Sequence, residues 1–178
     1  MEVDLAEKDV LMVIASKDFR DEEYREPAAA LAHAKAGVDI ASSSKSEAVG
    51  MLGKQRVVPD LLLNDVDVSK YVAVIFVGGS GAQEYFDDPT AHRIAREAAD
   101  QGKLLAAICI APSTLANAGL LAGKRATCYE SERENLAAKG AQLVDQGVVR
   151  DRNIITADGP HSAKTFAKAV CEALAEDT

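Results

Sequence analysis

The sequence predicts an α/β domain in which helices cover both faces of a mostly parallel sheet. Short, wholly apolar runs of strand length recur along the chain, as expected for strands that are buried on both faces. Stretches of helical character separate these runs, which is the order found in βαβ units. With 178 residues, 48% of them hydrophobic, the chain can bury a substantial core. We therefore expect a single domain that covers residues 1–178.

The strands of the central sheet are predicted from the apolar runs. A mostly apolar run of four to seven residues is too short for a buried helix and fits a buried strand. A further short strand is expected near Cys128. The predicted strands are residues 10–15, 38–41, 71–77, 104–108, 125–128 and 153–157.

The helices are predicted from their composition and their end signals. An alanine-rich helix should run to Gly37, Asp88 should cap the next helix and Gly102 should end it. Residues 42–59 are expected to form a loop or a short antiparallel excursion, and residues 142–144 with 148–149 an edge hairpin. The predicted helices are residues 28–37, 88–102, 112–117, 130–139 and 163–175.

Charge and cysteine content narrow the classes of function. The formal net charge is −8, and an acidic chain without basic clusters argues against nucleic acid and membranes as partners. The amino terminus is too charged for a signal peptide, so we expect a cytoplasmic protein. The three cysteines are irregularly spaced and suggest neither a disulfide framework nor a zinc site. No metal or organic cofactor is expected.

Cys109 is the candidate reactive group. It follows an apolar strand and precedes a helix whose first position suits Pro112. A sharp turn from strand to helix exposes its central residue at the carboxyl edge of a sheet, where α/β proteins place ligands. The positive end of the helix should favour thiolate over thiol. The alternative is a small buried hydrophobe, since free cysteine is among the most buried residue types.

Two further features should lie on the same edge as Cys109. Pro27 leaves the carbonyl of Glu23 without a helical partner, so Glu23 should lie at a helix start or kink after the first strand. Gly78 and Gly79 follow the third strand and let backbone amides approach a ligand. Glu23 is therefore a candidate partner of the cysteine, against the alternative of a solvated carboxylate that stabilises the helix dipole.

Four motifs in this order resemble the DJ-1/PfpI superfamily. They are Phe19 to Glu23, Val77 to Gly79, Ala107 to Pro112, and Gly119 to Lys124. The resemblance covers nearly the whole chain. It implies a flavodoxin-like three-layer sandwich, a cysteine at a nucleophile elbow, an acidic side chain hydrogen-bonded to that cysteine, and a homodimer.

The resemblance also implies roles for individual residues. Cys109 matches the reactive cysteine of the family and Glu23 its acidic partner, with Glu22 as the neighbour that could be confused with it. Gly78 and Gly79 match the glycine pair of an oxyanion-hole-like pocket, to which the amide of Ile110 adds a donor. Members that resemble intracellular proteases carry histidine directly after the cysteine. Because Ile110 stands there, the pattern is closer to the DJ-1 branch.

Two other side chains are possible members of the site. His161 follows the last strand on the same edge, and histidine suits acid–base work near neutral pH. Cys128 follows a short strand and could resolve a sulfenic acid on Cys109. The alternatives are an ordinary turn histidine and a small residue at a strand end. Cys171 is expected in the core.

The resemblance implies a cysteine-dependent enzyme that acts on small reactive carbonyls or their adducts, as glyoxalases and deglycases do. Two alternatives stay open. One is a cysteine peptidase or amidase of the PfpI type, which would need a base recruited from His161 or from a dimer partner. The other is a non-enzymatic redox sensor or chaperone of oxidative stress, in which Cys109 is oxidised and Glu23 hydrogen-bonds the product.

Overall fold

The computed structural model describes residues 2–176 and has the predicted α/β architecture. The strands and helices alternate along most of the chain. In chain order the strands are β1 (Asp9–Val13), β2 (Gly37–Ser42), β3 (Ala48–Val49), β4 (Arg56–Val57), β5 (Leu61–Leu62), β6 (Ala73–Phe76), β7 (Leu104–Ile108), β8 (Arg125–Ala126), β9 (Gln142–Leu143), β10 (Val148–Asp151) and β11 (Ile154–Ala157). The helices are α1 (Asp21–His33), α2 (Pro89–Asp100), α3 (Pro112–Asn117), α4 (Arg133–Ala138) and α5 (Ala163–Ala175).

Seven strands form the central sheet in the order β10-β11-β7-β6-β1-β2-β5. All neighbours pair in parallel except β10, which pairs with β11 in antiparallel fashion. The register places Val13 beside Phe76, Phe76 beside Ala107, and Ile108 beside Ala157. The carboxyl ends of β1, β6, β7 and β11 therefore lie along one edge of the sheet.

Helices on both faces of the sheet give the three layers of a flavodoxin-like sandwich. Alternate residues of β1 enter different cores, with Met12 on the side of α5 and Leu11 on the side of α2. This two-sided burial explains why the strands are apolar runs rather than alternating patterns. In α5 the predicted apolar face is confirmed, since three side chains are fully buried: Phe166, Val170 and Leu174.

The structure corrects two predictions about the boundaries of elements. Helix α1 begins at Asp21 and runs through Pro27 to His33, while Gly37 is the first residue of β2 rather than a helix stop. The left-handed position after α1 is taken by Lys35, with φ 70°. Helix propensity disfavours proline in the interior of a helix, so it could not predict that α1 continues through Pro27.

The predicted edge hairpin is wrong. Residues 142–143 form β9, which pairs in parallel with β8 in a separate two-stranded sheet, and β10 pairs with β11 instead. The predicted excursion in residues 42–59 is confirmed as the antiparallel pair of β3 and β4. The cap at Asp88 is also confirmed, because its carboxylate accepts the amide of Ala91 at 2.8 Å.

The loop between β3 and β4 is fixed to α1 by Asp21. The buried Asp21 carboxylate accepts three backbone amides, those of Leu52 at 2.8 Å, Lys54 at 2.9 Å and Gln55 at 2.8 Å. Burial raises the pKa of Asp21, but these hydrogen bonds outweigh it and hold the pKa below its usual value. The loop that carries Met51 thus has a fixed place beside the carboxyl edge of the sheet.

We expect Asp21→Ala to lower the free energy of unfolding by about 1–3 kcal/mol, because three amides lose a charged acceptor. Asp65→Ala, at an exposed carboxylate, is the matched control and should change it by less than about 0.5 kcal/mol. Urea denaturation of both variants measures the difference. Equal stabilities of the two variants would contradict the anchoring role of Asp21.

Candidate active site

Cys109 occupies a strained turn between β7 and α3. Its backbone has φ 67°, a left-handed conformation that is uncommon for any residue other than glycine. The turn is held by two hydrogen bonds: the Cys109 amide donates to the carbonyl of Ala157 at 2.9 Å, and its carbonyl accepts the amide of Tyr129 at 2.8 Å. Pro112 is the first residue of α3, as predicted. This is the geometry of a nucleophile elbow.

Glu23 lies in the first turn of α1 and faces the elbow. Its side chain is fully buried, and neither carboxyl oxygen has a hydrogen bond of standard geometry within residues 2–176. The groups that lower its pKa are the thiol of Cys109, the charge of Arg20 and the amide of Gly78. Glu22, in contrast, turns away and accepts a hydrogen bond from Nε of Arg20 at 2.6 Å.

The two glycines after β6 have different neighbours. A Cβ on Gly78 would overlap the Glu23 carboxyl and the Cβ of Cys109, so only glycine fits between them. Gly79 has φ 104°, and a Cβ there would collide with the backbone of Arg20. The amides of Gly79 and Ile110 both face the Cys109 sulfur and favour its charged form. The amide of Gly78 faces Glu23 instead. The two glycines, which the sequence analysis placed together in one oxyanion-hole-like pocket, therefore face different groups.

Burial dominates the electrostatics of this pair. It raises the pKa of Glu23 from 4.5 to about 8 and is the largest cause of a Cys109 pKa of about 12, to which the charge of Glu23 also contributes. The expected preference for thiolate is therefore wrong for the resting site. The helix that follows Cys109 has six residues, and its effect together with the amides is smaller than desolvation. The two groups titrate as a coupled pair.

The Cys109 pocket is a cavity of about 260 Å³ that opens above the sulfur. Besides Cys109, Gly79 and Ile110, six residues line the pocket: Arg20, Met51, Ser80, Gln83, Tyr129 and Pro160. Sequence reasoning assigned no role to any of these six. Arg20 alone could have been found from the sequence, because it lies between Phe19 and Glu23 in one of the four motifs that resemble the family.

His161 and Cys128 are not brought into the Cys109 pocket. Both line an adjacent groove of about 620 Å³. Tyr129 lies between this groove and the Cys109 pocket and lines both. The imidazole of His161 is 74% exposed and its Nε2 lies 3.2 Å from Oδ1 of Asp158. Cys128 is buried, and burial raises its pKa to about 12. Cys171 is buried in α5, as expected.

Residues 2–176 contain neither a cluster of metal-ligating side chains nor a helix that could span a membrane. No group of three or more histidine, cysteine, aspartate or glutamate side chains in this part of the chain is arranged to hold a metal ion. None of the helices within the same residues is both long and apolar enough to cross a bilayer.

Several proteins that are similar in sequence to this chain have names that state an activity. A glutathione-independent glyoxalase of Caenorhabditis elegans is 29% identical and aligns with 95% of this chain and 90% of its own. The deglycase PfpI of Pyrococcus furiosus is 29% identical over 84% of this chain and 90% of its own. A putative cysteine protease of Bacillus subtilis is 30% identical over 88% and 92%. These names describe the relatives.

The fold and the sequence agree on one family. An uncharacterised protein of Methanocaldococcus jannaschii is 42% identical over 93% of this chain and 82% of its own. The crystal structure of a ThiJ/PfpI domain protein from Brachyspira murdochii superposes with a TM-score of 0.91 at 33% identity, covering 93% and 95% of the two chains. The pattern that defines the DJ-1/PfpI family matches residues 8–173, and the protein belongs to that family.

Proposed function

We propose that this protein is a cysteine-dependent enzyme that acts on small reactive carbonyls, with methylglyoxal or its adducts as the substrate class. The contact between the buried Glu23 carboxyl and the Cys109 thiol carries the proposal. A carboxyl group with a pKa of about 8 exchanges protons near neutral pH, which is the property a general acid–base needs. The glyoxalase and deglycase names of two relatives support the same class.

The first chemical step uses Glu23 as a base and then as an acid. With Glu23 ionised, the Cys109 thiol transfers its proton to the carboxylate while the sulfur bonds to the aldehyde carbon. The carbonyl oxygen gains the electron pair of the broken π bond and then takes the proton from Glu23. The product is a hemithioacetal on Cys109. This order needs no preformed thiolate, in agreement with the raised pKa of the free thiol.

The second step moves a proton between neighbouring carbons. Glu23 removes the hydrogen from the hemithioacetal carbon to form an enediolate and returns this proton to the adjacent carbon. The hydroxyl proton passes to the neighbouring oxygen, and the product is a lactoyl thioester. Water then hydrolyses the thioester and releases lactate and the thiol. The overall change is the addition of one water to methylglyoxal, and no oxidant or reductant is consumed.

The amides of Gly79 and Ile110 are the proposed donors to the negative oxygen. They already face the sulfur, so an oxygen on the carbon bonded to that sulfur lies within their reach. Fixed donors in a site from which water is excluded stabilise developing charge by several kcal/mol, about 3–4 per donor in studied cases. Cys109 at φ 67° holds the sulfur between these amides and Glu23.

The other functions have weaker support from the geometry. Peptide hydrolysis by a Cys–His pair needs a base near the sulfur, but Ile110 follows the cysteine and no histidine within residues 2–176 lines the Cys109 pocket. Redox sensing has a specific observation in its favour, because a protonated Glu23 can donate a hydrogen bond to an oxidised sulfur. A homodimer and a cytoplasmic location remain predictions.

We expect lactate to form from methylglyoxal in the presence of the intact protein. Cys109→Ala should abolish turnover, and Glu23→Gln should lower kcat/KM by about 10²–10⁴-fold, since a general acid–base contributes that much. Matched controls are Cys171→Ala, at a buried cysteine in α5, and Glu26→Gln, at a carboxylate of α1 that pairs with Arg25 at 3.1 Å. Both controls should retain activity.

Turnover no faster than in Cys109→Ala would overturn the proposed enzyme. Mass spectrometry after mild peroxide then addresses the alternative: selective addition of oxygen at Cys109 without turnover of any aldehyde favours the redox sensor.

We also expect the stability of the protein to depend on pH through Glu23. Because the folded pKa of about 8 exceeds the ordinary value of 4.5, the folded state binds this proton more tightly than the unfolded state. The stabilisation is complete below the unfolded pKa and is lost as the pH rises through the folded pKa. Between about pH 5 and pH 8, the native protein should lose on the order of 3 kcal/mol relative to Glu23→Gln.

Urea denaturation of the native protein, Glu23→Gln and the control Glu26→Gln measures this effect. The free energies of unfolding of the native protein and Glu26→Gln should fall together over this pH range, while that of Glu23→Gln falls less. Parallel pH dependences for all three proteins would show that Glu23 ionises normally in the folded state.

A further inference from the structure

Arg20 is the cationic side chain of the Cys109 pocket, and an ion pair with Glu22 at 2.6 Å offsets part of its charge. The formal net charge of the protein is −8. Among the described residues that line the pocket, however, Arg20 is the only one with a permanent charge, and its neighbours there include Met51, Ser80, Gln83 and Tyr129. A cation in a small, mostly uncharged pocket attracts an anionic group of a ligand.

The position of Arg20 is fixed at both ends of the residue. Its amide donates to the carbonyl of Gly78 at 2.9 Å, and its Nε donates to Oε2 of Glu22 at 2.6 Å. Within residues 2–176 the two terminal nitrogens, Nη1 and Nη2, have no hydrogen bond to the protein, and the side chain is 30% exposed. Glu22 therefore orients the guanidinium and leaves its outer donors for a ligand. A guanidinium binds a carboxylate through two parallel hydrogen bonds.

Arg20 is also close enough to the reacting groups for their charges to interact. Its pKa is raised first by the hydrogen bond to Glu22, and the charges of Glu23 and Cys109 add to that effect. Arg20 and Cys109 also line one cavity of about 260 Å³, so a small ligand bonded to the sulfur shares this cavity with the guanidinium.

We propose that Arg20 is a specificity-determining residue that selects small carbonyl compounds bearing a carboxylate beside the carbon attacked by Cys109. This class consists of aldehydes and ketones of the 2-oxo acid type, which form the adduct with Cys109 but lack the neighbouring ketone that the proton shift to lactate requires. The inference rests on the proposed function, because addition of Cys109 to a carbonyl is the step made selective. The carboxylate takes no part in bond making: the carbon–sulfur bond forms, the thiol proton passes to Glu23 and then to the carbonyl oxygen, and nothing is oxidised or reduced.

The test uses two alkylating agents of nearly equal shape. Iodoacetate carries a carboxylate and iodoacetamide a neutral amide, and both react by displacement of iodide as the carbon–sulfur bond forms. We expect the rate ratio of iodoacetate to iodoacetamide at Cys109, measured by mass spectrometry, to exceed the ratio for N-acetylcysteine under the same conditions. Arg20→Gln should lower the ratio about tenfold, the loss expected for one charge-assisted contact.

Two variants control for charge and geometry. Arg25→Gln removes an arginine of α1 that pairs with Glu26 outside the pocket, and the ratio should stay at the native value. Arg20→Lys keeps the charge but loses the planar fork, so an intermediate ratio is expected. Protection of Cys109 from iodoacetamide by glyoxylate, through a reversible hemithioacetal, should likewise weaken in Arg20→Gln and persist in Arg25→Gln.

A native ratio equal to that of N-acetylcysteine would overturn the inference, and this comparison does not depend on whether any variant folds. An unchanged ratio in a folded Arg20→Gln protein would overturn it as well. Alkylation requires no turnover, so the two proposals fail separately. A selective alkylation ratio without lactate formation would contradict only the proposed enzyme activity. Lactate formation without a selective ratio would contradict only the role of Arg20.

Discussion

The removal of the Glu23 carboxyl from water, against the sulfur of Cys109, is the constraint on which the site depends. Burial raises the pKa of both acids, and the charge of Glu23 raises that of Cys109 further, so the two are not both ionised near neutral pH. The pair therefore retains a proton that can move between carboxyl and thiol. A carboxyl that holds its proton until about pH 8 can act as base and acid in one reaction, which an exposed glutamate cannot.

The fold creates this contact from three strand ends. The register of the sheet aligns the ends of β1, β6 and β7, which deliver α1 with Glu23, the glycine pair and the elbow to one edge. Gly78 has no side chain and so leaves the space in which the Glu23 carboxyl reaches Cys109. The left-handed backbone of Cys109 is held by hydrogen bonds to β11 and to the Tyr129 loop. The strain is thus maintained by elements distant in sequence.

The sequence predicts the parts of the site that follow directly from strand ends. Cys109 and the glycine pair come directly after apolar runs, and Glu23 lies in the first turn of the helix that follows another, so a parallel sheet places them together. Met51 and Tyr129 could not be predicted, because the loops that carry them reach the pocket only through contacts such as the Asp21 anchor. The Cys109 pKa was predicted in the wrong direction, since a sequence shows the nearby helix but not the depth of burial. The parallel pairing of β9 with β8 was missed because strands of two residues carry almost no periodic signal.

The most direct measurement of the shared proton is infrared difference spectroscopy of the native protein against Glu23→Gln. We expect the carbonyl stretch of a protonated carboxylic acid at neutral pH, present in the native protein, absent from the variant, and lost as the pH rises through about 8. The same band should appear in Cys109→Ala, at a higher titration midpoint, because the thiol that lowers the pKa of Glu23 is gone. A native spectrum that shows only ionised carboxylate at neutral pH would contradict the central claim that Glu23 keeps its proton beside Cys109.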